Sequence, residues 1–276
     1  MSEEKKVVLV TGASSGIGNS CATYLAKRGC IVYGTCRNPE QAQKKADEFF
    51  HMLPMDITNE LSVKTVIDSI YAQNGAIDML VCNAGMGIAG PVEFTSTASA
   101  ELQMQTNFMG TFRVIRDVLP GMRMHGGKII VMSSLAGLTG IPFQAFYSAS
   151  KFALEGFVES LRMELKPYPV QICLLEPGDF RTGFTAARQR NLIAQENPYY
   201  KAYTNSVKVM ELDEQNGADP ILISRLIYKL FLSKSRFKIR YSVGMIFQRL
   251  AMALKKVMHA QLFEAFFCKY YKVDGK

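Results

Sequence analysis

The sequence predicts an α/β fold, a doubly wound parallel sheet that forms a single domain with a C-terminal helical extension. Three observations carry this prediction. Short, near-continuous apolar runs alternate with longer segments of helical period, a glycine-rich turn joins the first run to the first helical segment, and no low-complexity linker interrupts the first 180 residues. Such apolar runs are typical of strands buried on both faces, and their alternation with helices indicates repeated βαβ units.

The predicted elements follow one another along the chain. The clearest strands are Val7–Val10, Ile31–Tyr33, Met79–Cys82, Ile129–Met132 and Val170–Leu175. The helical segments between them cover residues 16–28, 40–49, 59–73, 97–123 and 146–166. After these come a polar segment at 183–215, a helix at 218–232, an alternating stretch at 237–242, and helices at 245–257 and 259–271. We therefore expect a catalytic domain at 1–242, with 183–215 as a substrate loop above the sheet, and an extension at 243–276.

Composition and charge exclude several classes of function. The chain has 276 residues and a net charge of +8, but residues 225–276 hold 12 of the 32 Lys and Arg residues and only 2 of the 24 Asp and Glu residues. Because the rest of the chain is nearly neutral, we expect no nucleic-acid partner. The three histidines are far apart and the six cysteines are scattered, which indicates no metal site and free thiols in a reducing compartment. The N-terminus lacks a signal-peptide pattern, so a cytoplasmic protein is expected.

The glycine-rich turn is the first motif that carries chemistry. It reads Thr11-Gly12-Ala13-Ser14-Ser15-Gly16-Ile17-Gly18 and lies between a predicted strand and a predicted helix. Gly12 permits a tight turn, Gly16 permits close approach to a pyrophosphate, and Gly18 permits close packing of helix on strand. The helix N-terminus supplies free N–H groups for phosphate. The turn therefore predicts a dinucleotide site, and the missing Gly-Lys-Ser/Thr excludes a triphosphate P-loop.

The end of the second strand discriminates between coenzymes. An NAD enzyme usually places an acidic residue there to bind the ribose 2′-hydroxyl. This strand instead ends in Gly34-Thr35-Cys36-Arg37-Asn38, with no acid before Glu40. Since Arg37 can form a charge-assisted bond to a 2′-phosphate, the sequence favours NADP(H) over NAD(H).

A tyrosine and a lysine one helical turn apart form the candidate reaction centre. Tyr147 and Lys151 face the same way if their segment is helical. A neighbouring ammonium favours the phenolate and brings its pKa from near 10 toward the working range. Ser134 follows the strand Ile129–Met132 and Asn83-Ala84-Gly85 follows the strand Met79–Cys82, so both lie at the carboxyl ends where ligands bind. Asn107 lies in the predicted 97–123 helix, where a buried side-chain amide requires a structural or functional explanation.

These motifs, in this order and at this spacing, resemble the short-chain dehydrogenase/reductase superfamily in its conventional cofactor-binding form, which has a Rossmann fold. The resemblance covers roughly residues 5–185 and rests on the following positions: Thr11, Gly12, Gly16, Gly18, Asp56, Asn83-Ala84-Gly85, Asn107, Ser134, Tyr147, Lys151, Pro177-Gly178 and Thr182. It implies an oxidoreductase that moves a hydride between NADP(H) and a carbonyl or alcohol.

The resemblance also implies a role for each residue. Tyr147 would exchange the proton, Ser134 would orient the carbonyl, and Lys151 would bind the nicotinamide ribose and lower the pKa of Tyr147. Asn107 would carry a relay water. The residues expected to bind coenzyme are the turn residues Thr11, Gly12, Ser14, Ser15, Gly16, Ile17 and Gly18, together with Arg37, Asp56 at adenine, Ile57, Asn83, Ala84, Gly85, Tyr147, Lys151, Pro177, Gly178, and Thr182 at the carboxamide.

The stretches around Tyr147 are similar to the 17β-hydroxysteroid dehydrogenase-like and retinol dehydrogenase-like branch. This implies a lipophilic ketone, aldehyde or secondary alcohol, and acyl-dihydroxyacetone-phosphate reductases share the pattern. Relatives are commonly homodimers or homotetramers. A nucleotide-sugar epimerase or dehydratase is disfavoured because Gly-x-x-Gly-x-x-Gly is missing, and a coenzyme-sensing regulator is disfavoured because both Tyr147 and Lys151 are present.

The last two predicted helices alternate apolar and basic residues, including Arg249, Lys255, Lys256, Lys269 and Lys272. No charge-free run reaches the roughly 18 residues that span a bilayer. Three interpretations remain open for residues 243–276: helices packed on the domain or on a second subunit, a lid over an apolar cleft, and peripheral contact with anionic lipid.

Overall fold

The computed structural model describes residues 5–38, 40 and 49–274. Its strands are β1 (Val7–Thr11), β2 (Ile31–Cys36), β3 (His51–Pro54), β4 (Met79–Cys82), β5 (Ile88–Ala89), β6 (Gly127–Met132), β7 (Val170–Pro177), β8 (Gln189–Arg190) and β9 (Arg240–Val243). Within the described residues, seven of these form one parallel sheet in the order β3-β2-β1-β4-β6-β7-β9, and β5 pairs with β8. The predicted doubly wound parallel sheet is confirmed.

The strand order reverses direction at β1, which lies between β2 and β4. In sheets of this kind the ligand crevice lies outside the carboxyl ends of the strands at that reversal. The glycine-rich turn follows β1, and Asn83 follows β4, so the topology brings both motifs to one place.

The helices are α1 (Gly16–Ala26), α2 (Glu60–Asn74), α3 (Thr97–Met104), α4 (Gly110–His125), α5 (Ala145–Glu164), α6 (Phe184–Ala187), α7 (Tyr200–Gln215), α8 (Ile221–Leu232), α9 (Ile246–Lys255) and α10 (Ala260–Tyr270). Short 3₁₀ turns occur at Val92–Phe94 and Leu135–Gly137. The helix predicted at 40–49 lies, apart from its two end residues, outside the described residues.

The prediction of one continuous helix at 97–123 is wrong in the middle of that segment. A π-helical turn, Gln105–Met109, separates α3 from α4. A π turn inserts one extra residue per turn, so the apolar period on either side still looks helical. The insertion places Asn107 on the turn itself, where its side chain is 1% exposed.

Two hydrophobic layers cover the sheet, because successive side chains of a strand point to opposite faces. On β1, Val7 and Leu9 belong to the layer that packs against α2, α4 and α5. Val8 and Val10 belong to the layer that packs against α1 and α8. The sheet is thus buried on both faces, and the site is confined to its carboxyl edge.

The alternating stretch predicted at 237–242 forms the edge strand β9, which pairs in parallel with the end of β7. The predicted domain boundary after residue 242 therefore falls one residue before β9 ends. The chain then passes through Gly244, at φ 137°, into α9.

Candidate active site

The turn after β1 has the geometry of a phosphate cradle. Gly12 and Gly16 adopt φ values of 68° and 56°, which L side chains rarely adopt. A Cβ on Gly18 would collide with the Gly12 carbonyl and the Asn83 side chain. Ser15 is the N-cap residue of α1, and its side chain makes no cap hydrogen bond. The first N–H groups of a helix have no partner within the helix. A dinucleotide pyrophosphate fits this arrangement.

Thr11 and Asn83 fasten this turn to the end of β4. The Thr11 hydroxyl accepts hydrogen bonds from the backbone N–H groups of Asn83 and Ala84, each at 3.0 Å. The Asn83 amide donates in return to the carbonyls of Thr11, at 3.0 Å, and Gly12, at 3.2 Å. The predicted residues Thr11 and Asn83 therefore shape the coenzyme cleft through the backbone.

The far end of the cleft is formed by the ends of β2 and β3. Arg37 follows β2 directly, is exposed and lines the cleft together with Ile57. The Asp56 carboxylate accepts hydrogen bonds from the Thr58 N–H and hydroxyl, each at 2.8 Å. These bonds fix the loop after β3, and contact of Asp56 with an adenine ring stays a prediction.

Tyr147 and Ser134 meet at the centre of the cleft. Tyr147 lies in the first turn of α5, and Ser134 lies after β6, ahead of the Leu135–Gly137 turn. Both side chains line the same cleft. Burial raises the pKa of Tyr147 to about 12, and the neighbouring Ser134 hydroxyl opposes that rise. The phenol is therefore protonated at neutral pH.

Lys151 lies one turn further along α5, with its Nζ 5.7 Å from the centre of the Tyr147 ring. The ammonium donates to the Met132 carbonyl at 2.8 Å. Burial lowers the pKa of Lys151 to about 8, because the charged form loses solvent. In this geometry the groups that lower the pKa of Tyr147 are Ser134 and Arg188 rather than Lys151. The predicted pairing in space is present, and the lowering of the Tyr147 pKa by Lys151 and a bound nicotinamide stays a prediction.

Asn107 supports α5 from the π turn. Its amide nitrogen donates to the Met86 carbonyl at 3.0 Å and to the Ser150 hydroxyl at 3.1 Å. Its amide oxygen accepts from the Met86 N–H at 2.9 Å. Ser150 in turn donates to the Tyr147 carbonyl at 2.7 Å. These contacts position the helix that carries Tyr147, and a relay water on Asn107 stays a prediction.

One cavity of about 990 Å³ joins the coenzyme cleft to a second compartment. The predicted residues on its wall are Gly12, Ser14, Ser15, Gly16, Ile17, Arg37, Ile57, Asn83, Ala84, Gly85, Ser134, Tyr147, Lys151, Pro177, Gly178 and Thr182. The volume lies at the upper end of the roughly 300–1,000 Å³ of small-molecule sites, in keeping with a cleft that two molecules share.

The second compartment is walled by the C-terminal helices. Met252 of α9 and Phe263 of α10 pack against Leu135, the residue after Ser134. The Ser206 hydroxyl of α7 donates to the Tyr271 carbonyl at 2.6 Å, which fixes the end of α10. Aromatic side chains of α10 line the cavity, namely Phe263, Phe266, Phe267 and Tyr270. The helices thus pack on the domain and also line the cleft, while their roles as a lid, a subunit interface or a lipid contact stay open.

A polar cluster lines the same compartment. It consists of Asp179 after β7, Arg188 after α6, and Asp213 and Glu214 near the end of α7. Glu214 binds Arg188 and accepts from the Thr185 hydroxyl at 2.6 Å. Burial, reinforced by Asp213 and Glu214, raises the pKa of Asp179 to about 7. The sequence analysis missed these residues because no motif spacing marks them, although three of the four lie in the predicted substrate loop.

The family model for short chain dehydrogenases matches residues 6–192. The chain belongs to this family. The resemblance inferred from the motifs is thereby confirmed, and with it an oxidoreductase with a Rossmann-type fold that binds a nicotinamide coenzyme.

Other proteins of the family resemble most of the chain. A protein named 3-ketodihydrosphingosine reductase from Bacteroides thetaiotaomicron is 42% identical over 234 residues, covering 84% of this chain and 86% of that protein. Human retinol dehydrogenase 8 is 36% identical over 269 residues, covering 94% and 79%. A crystal structure of a short-chain dehydrogenase from Streptomyces avermitilis superposes with a TM-score of 0.82 at 28% identity, covering 99% and 98%.

Proposed function

We propose that this short-chain dehydrogenase uses NADPH to reduce the ketone of a long-chain lipid, of the kind named by its relative 3-ketodihydrosphingosine reductase. One observation carries the proposal: the compartment beside Tyr147 is walled by apolar and aromatic side chains of α9 and α10. Such walls bind an alkyl chain by the hydrophobic effect, at roughly 0.8 kcal/mol for each buried methylene. The relative's name supplies the ketone class.

The residues around Tyr147 suit reduction. The bound coenzyme supplies the hydride to the carbonyl carbon. Tyr147, held protonated by burial, donates its proton to the carbonyl oxygen. The Ser134 hydroxyl hydrogen-bonds that oxygen and fixes its distance from the phenol. Lys151 would hold the nicotinamide ribose and, with a pKa of about 8, is a nearby group that can give up a proton at neutral pH.

NADP(H) is proposed over NAD(H) because of the residues that follow β2. Arg37 is exposed at the adenosine end of the cleft, where its guanidinium can bind a 2′-phosphate in bidentate fashion. The acid that an NAD enzyme uses for the ribose hydroxyls is missing from Gly34-Thr35-Cys36-Arg37-Asn38.

We further propose that α9 and α10 touch an anionic lipid surface, from which the substrate enters. Large apolar side chains are exposed on these helices, among them Ile246, Leu250 and Leu262, and Val257 is exposed between them. Arg249, Lys256 and Lys269 are exposed between them. Apolar residues flanked by lysine and arginine bind the interface of anionic membranes.

A second candidate is a reductase of acyl-dihydroxyacetone phosphate, which the alkyl-binding walls and the same proton donor also favour. The two candidates differ in the charge of the group beside the ketone. A phosphate is anionic, whereas the amine of 3-ketodihydrosphingosine binds a proton.

A coenzyme-oxidation assay tests the proposal. The purified protein is given NADPH or NADH and a panel presented in the same detergent micelles: 3-ketodihydrosphingosine, acyl-dihydroxyacetone phosphate, retinal, a 17-ketosteroid and a short aldehyde. We expect the highest kcat/KM with 3-ketodihydrosphingosine and NADPH. Faster turnover of retinal, the steroid or the short aldehyde than of either lipid ketone would refute the proposal.

A further inference from the structure

We propose that Asp179 and Asp213 bind a protonated amine next to the substrate ketone, and that Arg188 binds a hydroxyl of the same headgroup. This inference rests on the proposed function and deepens it, because it assigns the residues that select the headgroup of the lipid.

The charges of the polar cluster do not balance. When ionised, the three carboxyl groups of Asp179, Asp213 and Glu214 face the single guanidinium of Arg188 in this cluster. Glu214 forms the ion pair with Arg188. Within the described residues, the side-chain hydrogen-bond partners of Asp179 and Asp213 are neutral: the Gln248 amide donates to Asp179, and the Tyr270 hydroxyl donates to Asp213 at 2.7 Å. A cationic ligand would supply the missing charge.

Arg188 provides an independent sign of a ligand. Its side chain is 1% exposed, and Nη2 bonds Glu214. Among the described residues, neither Nε nor Nη1 has a hydrogen-bond partner, although both atoms are buried. Leaving buried donors of a charged group unpaired is costly, which calls for an acceptor oxygen in the cavity that Arg188 lines.

The cluster adjoins the proton donor. The Arg188 guanidinium lies 5.6 Å from the centre of the Phe184 ring, and that ring lies 5.8 Å from the Tyr147 ring. Asp179, Arg188 and Glu214 each act electrostatically on the Tyr147 phenol. The groups that the cluster recognises are therefore close to the carbonyl that receives the proton.

The chemistry required is that of an amino alcohol next to a ketone. An ammonium satisfies the two carboxylates, a hydroxyl oxygen accepts from Arg188, and an alkyl chain fills the aromatic compartment. 3-Ketodihydrosphingosine carries a hydroxyl, an amine and a ketone on consecutive carbons ahead of its alkyl chain. The excess of carboxylates disfavours the phosphate of acyl-dihydroxyacetone phosphate.

The test compares kcat/KM for four ketones of equal chain length: 3-ketodihydrosphingosine, its N-acetyl derivative, its 1-deoxy analogue, and a plain ketone lacking both polar groups. In the wild-type protein we expect kcat/KM for 3-ketodihydrosphingosine to be at least about tenfold higher than for the N-acetyl derivative and for the 1-deoxy analogue. A tenfold change corresponds to the loss of one hydrogen bond to a charged group. The 1-deoxy analogue tests Arg188 without breaking its ion pair with Glu214, and the N-acetyl derivative tests the two carboxylates.

The variants D179N and D213N, singly and together, test the carboxylates. We expect the ratio of kcat/KM for the amino ketone over the plain ketone to fall at least about tenfold in the double variant. Glu211→Gln is the matched control, because Glu211 lies on the same helix α7 but pairs with Arg190 outside the cavity wall. Its ratio should equal that of the wild type.

Two failures are distinguishable. If the wild type reduces all four ketones equally well, or if the double variant keeps the wild-type ratio, the proposed function stands and the headgroup assignment is wrong. If the wild type reduces none of the four, the proposed function is wrong and the assignment falls with it.

Discussion

At the scale of single residues, burial decides the protonation states at the site. It raises the pKa of the Tyr147 phenol to about 12 and lowers that of the Lys151 ammonium to about 8. Desolvation disfavours the charged form of each group, so the shifts have opposite signs. The site therefore holds a phenol that keeps its proton and a lysine that gives one up readily, which suits reduction better than oxidation.

Asp179 is predicted to lower stability at alkaline pH. Its pKa in the folded protein, about 7, exceeds the unfolded value near 3.9, so the folded state binds the proton more tightly and stability falls as pH rises from about 4 to 7. The groups that face Asp179 are Asp213, Glu214, Arg188 and Gln248. Asp179→Asn should raise the free energy of unfolding at pH 8 by about 1–3 kcal/mol and change it little at pH 4.5. Urea unfolding of both proteins at pH 4.5 and pH 8 measures this change in the free energy of unfolding. An equal change at the two pH values would contradict the raised pKa of Asp179.

Arg37 is predicted to set the coenzyme preference. Arg37→Ala should weaken NADPH binding at least about tenfold, since it removes a charge-assisted hydrogen bond, and leave NADH binding within about twofold. Fluorescence titration of both coenzymes gives the two dissociation constants. Unchanged preference would show that Arg37 is a surface residue without a role in binding.

At the scale of elements, the strands could be predicted from the sequence, whereas the π turn between α3 and α4 could not. The apolar runs predicted all five strands they covered, because strands buried on both faces need apolar residues throughout. The 97–123 period could not reveal the π turn at Gln105–Met109, since one inserted residue leaves the apolar faces on both sides intact. Asn107 was identified by its motif, but its bonds to Met86 and Ser150 depend on that turn.

The π turn is predicted to position α5. Asn107→Ala removes hydrogen bonds to Met86 and Ser150, which should lower the free energy of unfolding by about 2–4 kcal/mol. It should also lower kcat more than it raises KM, because Tyr147 moves with α5. Urea unfolding and steady-state kinetics measure both effects. Glu101→Gln on the exposed face of α3 is the control, and a variant with wild-type kcat would contradict a positioning role.

The walls of the substrate compartment lay beyond sequence patterns for a different reason. They are assembled from segments far apart in the chain, such as Asp179 with Gln248 and Ser206 with Tyr271. Motif spacing reports neighbours along one strand or helix, and here it could only place 183–215 above the sheet. The charge alternation of the last two helices was equally consistent with packing, a lid or lipid contact.

At the scale of the whole molecule, positive charge and exposed apolar surface coincide on the C-terminal helices. Val257 is 81% exposed and Ile246 is 73% exposed. Within the described residues, no helix has both the length and the apolar character to cross a membrane.

Lipid contact predicts binding to vesicles that contain anionic lipid. Cosedimentation with such vesicles should be strong at low salt and weaken as salt rises, because screening reduces the attraction of Lys and Arg. The double variant I246S/L262S, at exposed positions outside the cavity wall, should bind at least about fivefold more weakly. Leu192→Ser, at an apolar position 95% exposed elsewhere, is the control. Equal binding to neutral vesicles, or none at low salt, would contradict the prediction.

The proton transfer from Tyr147 is the claim on which the rest depends. Tyr147→Phe removes one hydroxyl and keeps the ring that packs against Phe184. With a long-chain ketone and NADPH, we predict that kcat falls by at least about a hundredfold, the typical contribution of a general acid. The dissociation constant for NADPH should stay within about twofold of the wild-type value. Turnover at the wild-type rate with coenzyme binding intact would show that the proton comes from another group.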